Sequence, residues 1–266
     1  MDYKIIDFHA HAFPDKIADR ATEHLRDYYK MPLVSNGLID DLIHRANDAN
    51  IEKIVILASA TKPDQVENVN NYIYELTKKY QKTIGFGSIH PNYKNYENEL
   101  ERIKELGIKG IKLHADFQNF PIDSPEMMPI YKKIVELNMP ILFHLGDRKS
   151  DKSSSKRLAR LLDVFPDMIA IGAHLGGVYR WEESYKYLVG RNLYFDTSST
   201  LHELSYQAAA DIINSHGDDK ILFGTDFPLS DYEIELERFM KIPLTDEQRH
   251  KILYKNAYSL LGLLNE

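Results

Sequence analysis

Five ionisable residues, four histidines and one aspartate, end short apolar runs in this sequence. His9 and His11 end the first run, and His144, His174 and Asp226 end three later runs. Imidazole nitrogens and carboxylate oxygens are ligands for zinc and similar divalent ions, and a catalytic metal site keeps one position open for water or substrate. The types and spacing of these residues therefore predict a metal-dependent enzyme.

The apolar runs belong to a regular series of predicted strands. Eight short, β-rich segments alternate with longer helix-like segments, and they span residues 4–8, 53–57, 83–88, 108–113, 140–143, 168–173, 193–195 and 221–223. Strands that alternate with helices pair in parallel through right-handed crossovers. Eight such units in 266 residues predict a single domain, residues 1–266, with the α/β fold of a (β/α)₈ TIM barrel.

This fold brings the candidate residues together. In a (β/α)₈ barrel the carboxyl ends of all strands meet at one open face, so residues distant in sequence become neighbours. Because side chains alternate along a strand, His9 and His11 are predicted to point to the same side. The connection from residue 12 to 50 is longer than usual, which predicts a small insertion after the first strand that acts as a lid. Thr245 and Gln248 have the spacing of a capping box, which begins a closing helix that ends near Leu261.

Composition excludes several classes of function. The chain has no cysteine, which excludes disulfides, thiolate zinc sites and cysteine nucleophiles. Its formal net charge of −7 disfavours nucleic acid and anionic membranes as partners. No stretch has the pattern of a signal peptide or a membrane span, so a cytoplasmic location is expected.

Several motifs together resemble the amidohydrolase superfamily, and more closely its mononuclear amidohydrolase-2 branch of lactonases, amidases and decarboxylases. The resemblance covers essentially the whole chain and depends on Asp7-Phe8-His9-Ala10-His11, Gly110-Ile111-Lys112-Leu113-His114, His144, His174-Leu175-Gly176-Gly177, Gly224-Thr225-Asp226-Phe227-Pro228 and Asn256-Ala257.

The resemblance also implies roles for these residues. His9, His11, His144 and Asp226 are expected to hold one divalent ion, with zinc as the first choice and manganese or iron as alternatives. Asp226 is expected to act as the base as well, and His174 to contact the water or the substrate. A homodimer is the assembly that the resemblance suggests.

Lys112 and His114 are predicted to bind substrate, because alternation along the fourth strand sets both on one face. Two alternatives stay open for Lys112: a carboxylated lysine that bridges two metal ions, as in binuclear members of the superfamily, or a barrel lysine in an ion pair.

Three further residues have two interpretations each. Asp196 could accept a hydrogen bond from a metal-ligating imidazole or cap the next helix. Arg148 and Arg180 could hold an acidic substrate or simply be solvated.

Two reactions on a small molecule are consistent with this predicted site. The main prediction is hydrolysis of a lactone, ester or amide by metal-activated water, with Asp226 as base. The alternative is non-oxidative decarboxylation of an aromatic or unsaturated acid. A related DNA-hydrolysing barrel family expects a glutamate ligand in the fourth strand, where this chain has Lys112. A non-catalytic binding barrel would be expected to lack some of the ligands or the base, and all are present.

Overall fold

A computed structural model describes residues 3–263, so the first two and last three positions of the predicted domain lie outside the described residues. Eight parallel strands form one sheet in sequential order, which confirms the predicted (β/α)₈ barrel. Each of the eight predicted segments overlaps one strand. The strands are β1 (Ile6–His11), β2 (Lys53–Leu57), β3 (Thr83–Gly87), β4 (Gly110–Leu113), β5 (Ile141–Phe143), β6 (Ala170–Gly172), β7 (Tyr194–Asp196) and β8 (Ile221–Leu222).

Helices follow the strands and cover the outside of the barrel. They are α1 (Asp15–Tyr29), α2 (Ile39–Asp48), α3 (Val66–Lys79), α4 (Tyr96–Glu105), α5 (Met128–Glu136), α6 (Ser155–Val164), α7 (Trp181–Tyr187), α8 (Tyr206–His216), α9 (Tyr232–Met240), α10 (Asp246–His250) and α11 (Asn256–Leu260). The capping box of Thr245 and Gln248 is present at the start of α10. The predicted closing helix continues through a π-helical turn, Lys251–Lys255, into α11. Within residues 3–263, no helix has the length and apolar character to span a bilayer.

Backbone hydrogen bonds join the two ends of the sheet. The amide of Phe8 donates to the Phe223 carbonyl at 2.8 Å, and the amide of Asp226 donates to the His9 carbonyl at 2.7 Å. These bonds place the end of β1 next to the loop after β8. Barrel closure therefore makes neighbours of residues that are more than two hundred positions apart.

The inside of the barrel divides into an apolar part and a polar part. The apolar interior cluster contains Ile6, Phe8, Val55, Leu57, Ile84, Phe86, Leu142, Ile171, Ala173 and Leu222, and α11 packs against it through Ala257 and Leu261. A second, larger cluster fills the space between strands and helices. Because strand side chains alternate, the same strands supply both clusters.

A bulge in β1 changes which of its residues face inward. Asp7 pairs with Ile54, and Ala10 pairs with Ile56, so β1 has one residue more than β2 over this interval. An extra residue shifts the alternation of side chains by one position. Phe8 therefore belongs to the apolar interior cluster, and the next residue, His9, still reaches the polar end of the barrel.

The predicted insertion after the first strand consists of α1, α2 and their connection. One side of α1 lines the cavity at the carboxyl ends of the strands. Tyr28 Oη, near the end of α1, donates to Asp147 Oδ2 at 2.7 Å. Arg45 of α2 forms an ion pair with Asp231 at 2.8 Å. The insertion thus covers the open face of the barrel, as expected for a lid.

Candidate active site

The residues singled out in the sequence lie at the carboxyl-terminal end of the barrel. There a cavity of about 580 Å³ is bounded by strand ends on one side and α1 on the other. Its wall includes His9, His11, Lys112, His114, His144 and Asp226. His174 is 1% exposed and lies beside them, with its ring centroid 5.3 Å from that of His9 and 4.9 Å from that of His144.

The hydrogen bonds of His9 and His11 determine which ring nitrogen carries the proton. His9 Nδ1 lies 2.8 Å from Asp196 Oδ2, and His11 Nδ1 lies 3.2 Å from the Leu57 carbonyl oxygen. Because both partners accept, each Nδ1 donates and each Nε2 presents a lone pair. The two Nε2 atoms are 3.2 Å apart, and they lie 3.4 and 3.3 Å from Asp226 Oδ1.

Three largely buried acceptor atoms therefore face one another. The donor atoms of His9, His11 and Asp226 all lie within 4.8 Å of each other, which suits a divalent cation bound between them. Burial, together with the nearby Lys112 ammonium, lowers the pKa of His9 to about 4. The His9 ring is thus neutral near pH 7, as a metal ligand must be.

His144 and His174 form a second pair of facing acceptors. His144 Nε2 donates to the Gly146 carbonyl at 2.9 Å, and His174 Nδ1 donates to the Ser198 carbonyl at 2.9 Å. The remaining nitrogens, His144 Nδ1 and His174 Nε2, are 3.0 Å apart. The structure thus brings His9, His11 and Asp226 together as one group and aims the free nitrogen of His144 at His174, although His144 lines the same cavity.

Gly146 has a backbone conformation that its position requires. Its φ is +87°, and a Cβ atom there would lie 2.2 Å from the Val178 carbonyl oxygen. Only glycine fits such a close approach without strain. Gly146 can therefore place its carbonyl oxygen where it holds the His144 ring.

Asp196 contacts the His9 imidazole at Nδ1, the nitrogen that does not face His11. This contact agrees with the first of its two interpretations, a hydrogen bond to a metal-ligating imidazole. Its Oδ1 accepts hydrogen bonds from the His174 and Ser198 amides at 3.1 and 3.0 Å. Burial raises the pKa of Asp196, but contacts with His9, His174 and Ser198 outweigh that effect and lower it to about 2. An ionised carboxylate on Nδ1 orients the ring and makes Nε2 a better ligand.

Asp226 is held in a left-handed backbone conformation with a φ of +63°. Ser199 Oγ donates to its Oδ2 at 2.6 Å, while its Oδ1 faces the two β1 histidines. Burial raises the pKa of Asp226, but His9, His11 and His174 together lower it well below its usual range. The residue is therefore an anion that can bind a cation or accept a proton.

Lys112 lies on β4 with a side chain that is 1% exposed. Its Nζ atom is 3.3 Å from His9 Nε2. Burial lowers the pKa of Lys112 to about 8, although Asp226 and Asp196 oppose the change. Lys112 thus places a charged amine directly beside His9 Nε2, one of the three acceptors.

His114 follows β4 and contacts both the lid and the strand ends. Its Nε2 atom lies 3.1 Å from Tyr29 Oη of α1. Its ring stacks on His144 at 3.9 Å and on Phe117 at 3.8 Å between centroids. His114, Asp116 and His144 also form a group with donor atoms within 4.8 Å of one another. The site thus continues from the strand ends toward α1.

Several contacts at the site have weak signals in the sequence. Ser198 and Ser199, which hold His174 and Asp226, follow β7 in an ordinary polar loop. Arg148 and Arg180 form ion pairs with Glu203 and Glu183, and neither belongs to the wall of the cavity. The sequence shows the types of these residues but not where their side chains or partners lie. It therefore does not distinguish them from other serines and arginines of the chain.

Solved structures with the same fold include decarboxylases. A 5-carboxyvanillate decarboxylase from Sphingomonas paucimobilis superposes with a TM-score of 0.77 at 14% identity, covering 98% of this chain and 99% of that chain. A dihydroxybenzoic acid decarboxylase from Polaromonas sp., solved with manganese and the inhibitor 2-nitroresorcinol, gives a TM-score of 0.77 at 18% identity, covering 100% and 98%. At these identities the likeness establishes the fold alone.

A curated relative is the 2-keto-4-carboxy-3-hexenedioate hydratase of a Sphingobium species. It is 26% identical over 203 residues, which is 60% of this chain and 58% of the relative. The chain therefore spans less than two thirds of that protein's length.

A comparison with protein families agrees with the motifs and the fold. The family model described as Amidohydrolase matches residues 6–263, which is nearly all of the barrel. This range includes the histidine pair of β1 and Asp226 after β8, the two ends of the sheet that barrel closure brings together. The chain belongs to the amidohydrolase family.

Proposed function

We propose that this chain is a metal-dependent decarboxylase that removes CO₂ from an aromatic or unsaturated carboxylic acid without oxidation. The decarboxylases among the structural neighbours support this alternative better than they support the hydrolysis first expected from the sequence. The observation that carries the proposal is the buried ammonium group of Lys112 beside the candidate metal ligands.

Lys112 favours an acidic substrate over a neutral one. With a pKa of about 8, its amine is mostly protonated at neutral pH, although the side chain is buried. A buried charge is costly unless an opposite charge compensates it. Asp226 and Asp196 offset part of this charge. The carboxylate of a substrate would bring a further negative charge into the cavity, whereas a lactone, an ester or an amide would not.

The residues that would hold the metal are His9, His11, His144 and Asp226. Their donor set suits one divalent ion, for which manganese has the support of the Polaromonas structure, while zinc was the first choice from the sequence. When bound, the ion supplies positive charge that stabilises negative charge on substrate oxygens.

Residues of the chain can then handle the proton that the reaction needs. Decarboxylation breaks the bond between the carboxylate and the adjacent carbon, which keeps the electron pair and must gain a proton. Asp226 lines the cavity and can pass a proton from solvent to that carbon, while Ser199 orients its carboxylate. Burial lowers the pKa of His174, so its ring is neutral. A contact of its Nε2 atom with the substrate would replace the present contact with His144 Nδ1 at 3.0 Å. Lys112 and His114 would bind the substrate.

Hydrolysis is the second candidate, because Asp226 is an anion that could serve as a base. The curated relative is named a hydratase, which adds water to a double bond without cleaving the substrate, so it shares with hydrolysis only the use of water as a reactant. Hydrolysis would use the same cavity and the same residues.

Product analysis separates the two reactions. Manganese-loaded protein is incubated with hydroxybenzoates and unsaturated acids, and separately with lactones, esters and amides, in water labelled with ¹⁸O or deuterium. We expect release of CO₂ and one solvent hydrogen at the carbon that lost it. Incorporation of ¹⁸O without CO₂ would contradict the proposal. It would indicate hydrolysis if a lactone, ester or amide bond is cleaved, and hydration if the oxygen adds to the double bond of an unsaturated acid.

A Lys112→Met variant tests the observation behind the proposal. We expect its KM for the acid to rise by about tenfold or more, because a charge-assisted contact in a buried site is lost. Lys149→Met is the matched control, since the Lys149 amine lies over the Tyr28 ring near the lid. Equal effects of the two variants would remove the argument for an acidic substrate.

A further inference from the structure

We propose that Arg20 on α1 binds a second carboxylate of the substrate, so that the natural substrate is a dicarboxylate. The inference rests on the proposed function and adds the class of acid. It places one anionic group near Lys112 at the buried end of the cavity and the other near Arg20 at its mouth.

One stripe of α1 forms the outer wall of the cavity. The lining residues of this helix include Ile17, Arg20, Ala21, His24 and Leu25. Their spacing of three and four positions places them on one face of the helix. Most residues of this stripe are apolar, and Arg20 is the arginine among them. The helical spacing therefore places Arg20 on the cavity wall.

Arg20 differs from almost every other arginine of the chain. Within residues 3–263, all arginines except Arg20 and Arg26 form ion pairs with carboxylates. Arg26 is exposed, like Arg20, but it does not line the cavity. Arg20 is thus the arginine with a free guanidinium group at the site.

The other charges of the cavity wall also favour an anionic ligand. Asp226 is the carboxylate among the residues that line it, and it belongs to the candidate metal ligands. The acidic residues of α1 lie off the lining stripe and are Asp15, Asp19, Glu23 and Asp27. The planar fork of an arginine matches a carboxylate with two parallel hydrogen bonds.

The two cationic groups lie at different depths. Lys112 is 1% exposed on a barrel strand, whereas Arg20 is exposed on the lid helix. Tyr29, at the far end of α1, reaches His114 at the strand ends. Tyr29 lies nine positions after Arg20, which is about 13.5 Å along the helix axis. A ligand that contacts both cations would therefore reach from a buried strand to the exposed lid helix, with its two carboxylates at opposite ends.

The test compares two acids that differ by one carboxylate. Trans,trans-hexa-2,4-dienedioate and trans,trans-hexa-2,4-dienoate have the same carbon skeleton, and the second has a methyl group where the first has its second carboxylate. Their dissociation constants are measured by calorimetry on manganese-loaded protein. The variants are Arg20→Met, Arg20→Lys and the matched control Arg26→Met.

We expect the diacid to bind the natural protein about 5- to 10-fold more tightly than the monoacid, as suits a partly solvated charge pair. Arg20→Met should abolish this preference, Arg20→Lys should keep part of it, and Arg26→Met should leave it unchanged. Unchanged melting temperatures would show that the variants are folded. If Arg20→Met does not fold, the preference for the diacid is measured on Arg20→Lys instead.

Three results would overturn the inference: a natural protein that binds the diacid no better than the monoacid, an Arg20→Met variant that keeps the preference, and an Arg26→Met variant that loses it equally. These binding measurements do not depend on turnover. If CO₂ release fails while the Arg20-dependent preference persists, the proposed reaction is wrong but the dicarboxylate site remains.

Discussion

The two parts of the barrel interior are built by the same strands but held in different ways. In the apolar interior cluster, Phe8 and Phe86 pack edge to face with ring centroids 5.6 Å apart. At the polar end, His9 and His11 are held by hydrogen bonds to Asp196 and to the Leu57 carbonyl. Apolar packing tolerates small shifts at modest cost, whereas a hydrogen bond depends steeply on distance and angle.

This difference indicates a division of labour between stability and function. The apolar interior cluster contributes free energy of folding through burial. The polar end collects lone pairs that face one another, which is unfavourable without a cation or a proton between them. Changes at the polar end should therefore alter metal binding and turnover, and changes in the apolar interior cluster should alter stability.

The largest effect is expected from His9→Ala. The variant removes one of three converging acceptors, so metal content should fall from about one ion per chain to near zero, and activity should disappear with it. Elemental analysis after purification without chelator measures the metal. His144→Ala should behave alike if His144 is a ligand. A His9→Ala protein with full metal content and normal turnover would show that the site is misplaced. For the natural protein, two metal ions per chain together with a carboxylated Lys112 would show that the site is binuclear.

Asp226→Asn should have the next largest effect. Asparagine keeps the size and one oxygen donor but cannot transfer the proton, so turnover should fall on the order of 10² to 10⁴ while much of the metal remains. Metal content and kcat are measured on the same preparation. Wild-type turnover in a metal-loaded variant would leave Asp226 as a ligand only.

Phe86→Ala tests the opposite side of the comparison. Phe86 is fully buried, so the truncation should lower the free energy of unfolding by about 3–5 kcal/mol. Denaturant unfolding measures the change, and Phe86→Leu, which leaves a smaller cavity, should cost less. We expect the folded fraction to bind metal normally. A loss of metal affinity as large as that of His9→Ala would contradict the division of labour.

Asp196→Ala should have the smallest effect on the site. The carboxylate contacts His9 Nδ1 from behind, so its removal should weaken metal affinity by about 10- to 100-fold without abolishing it. Competition with a chelator of known affinity measures the change. Complete loss of metal would indicate a role equal to that of His9, and no change would show that the contact with His9 Nδ1 does not affect the metal site.

The sequence by itself determined the barrel and the level at which the site lies. Apolar runs of strand length alternate with helical segments, and this local pattern was sufficient to predict eight parallel strands and the residues at their ends. The alternation of side chains also set His9 and His11 on one side. The roles of the site residues and the single metal ion stay predictions, as do the homodimer and the cytoplasmic location.

Only the tertiary structure decided how these residues meet. The bulge between Asp7 and Ala10 brings Phe8 and His9 to the same interior, which simple alternation does not predict. The carbonyls that hold His11 and His144 belong to Leu57 and Gly146, and every residue type has a carbonyl, so the sequence gives no signal for them.

Three arginines also show what the tertiary structure decides. Arg148 and Arg180 follow strand ends, and Arg20 lies in a helix that sequence analysis treated only as part of a lid. Folding pairs the first two with glutamates and leaves the third beside the cavity. Arg148 is paired with Glu203, which is 55 positions away, so only the folded chain brings these two partners within reach. Arg180, in contrast, is paired with a residue three positions further along the chain.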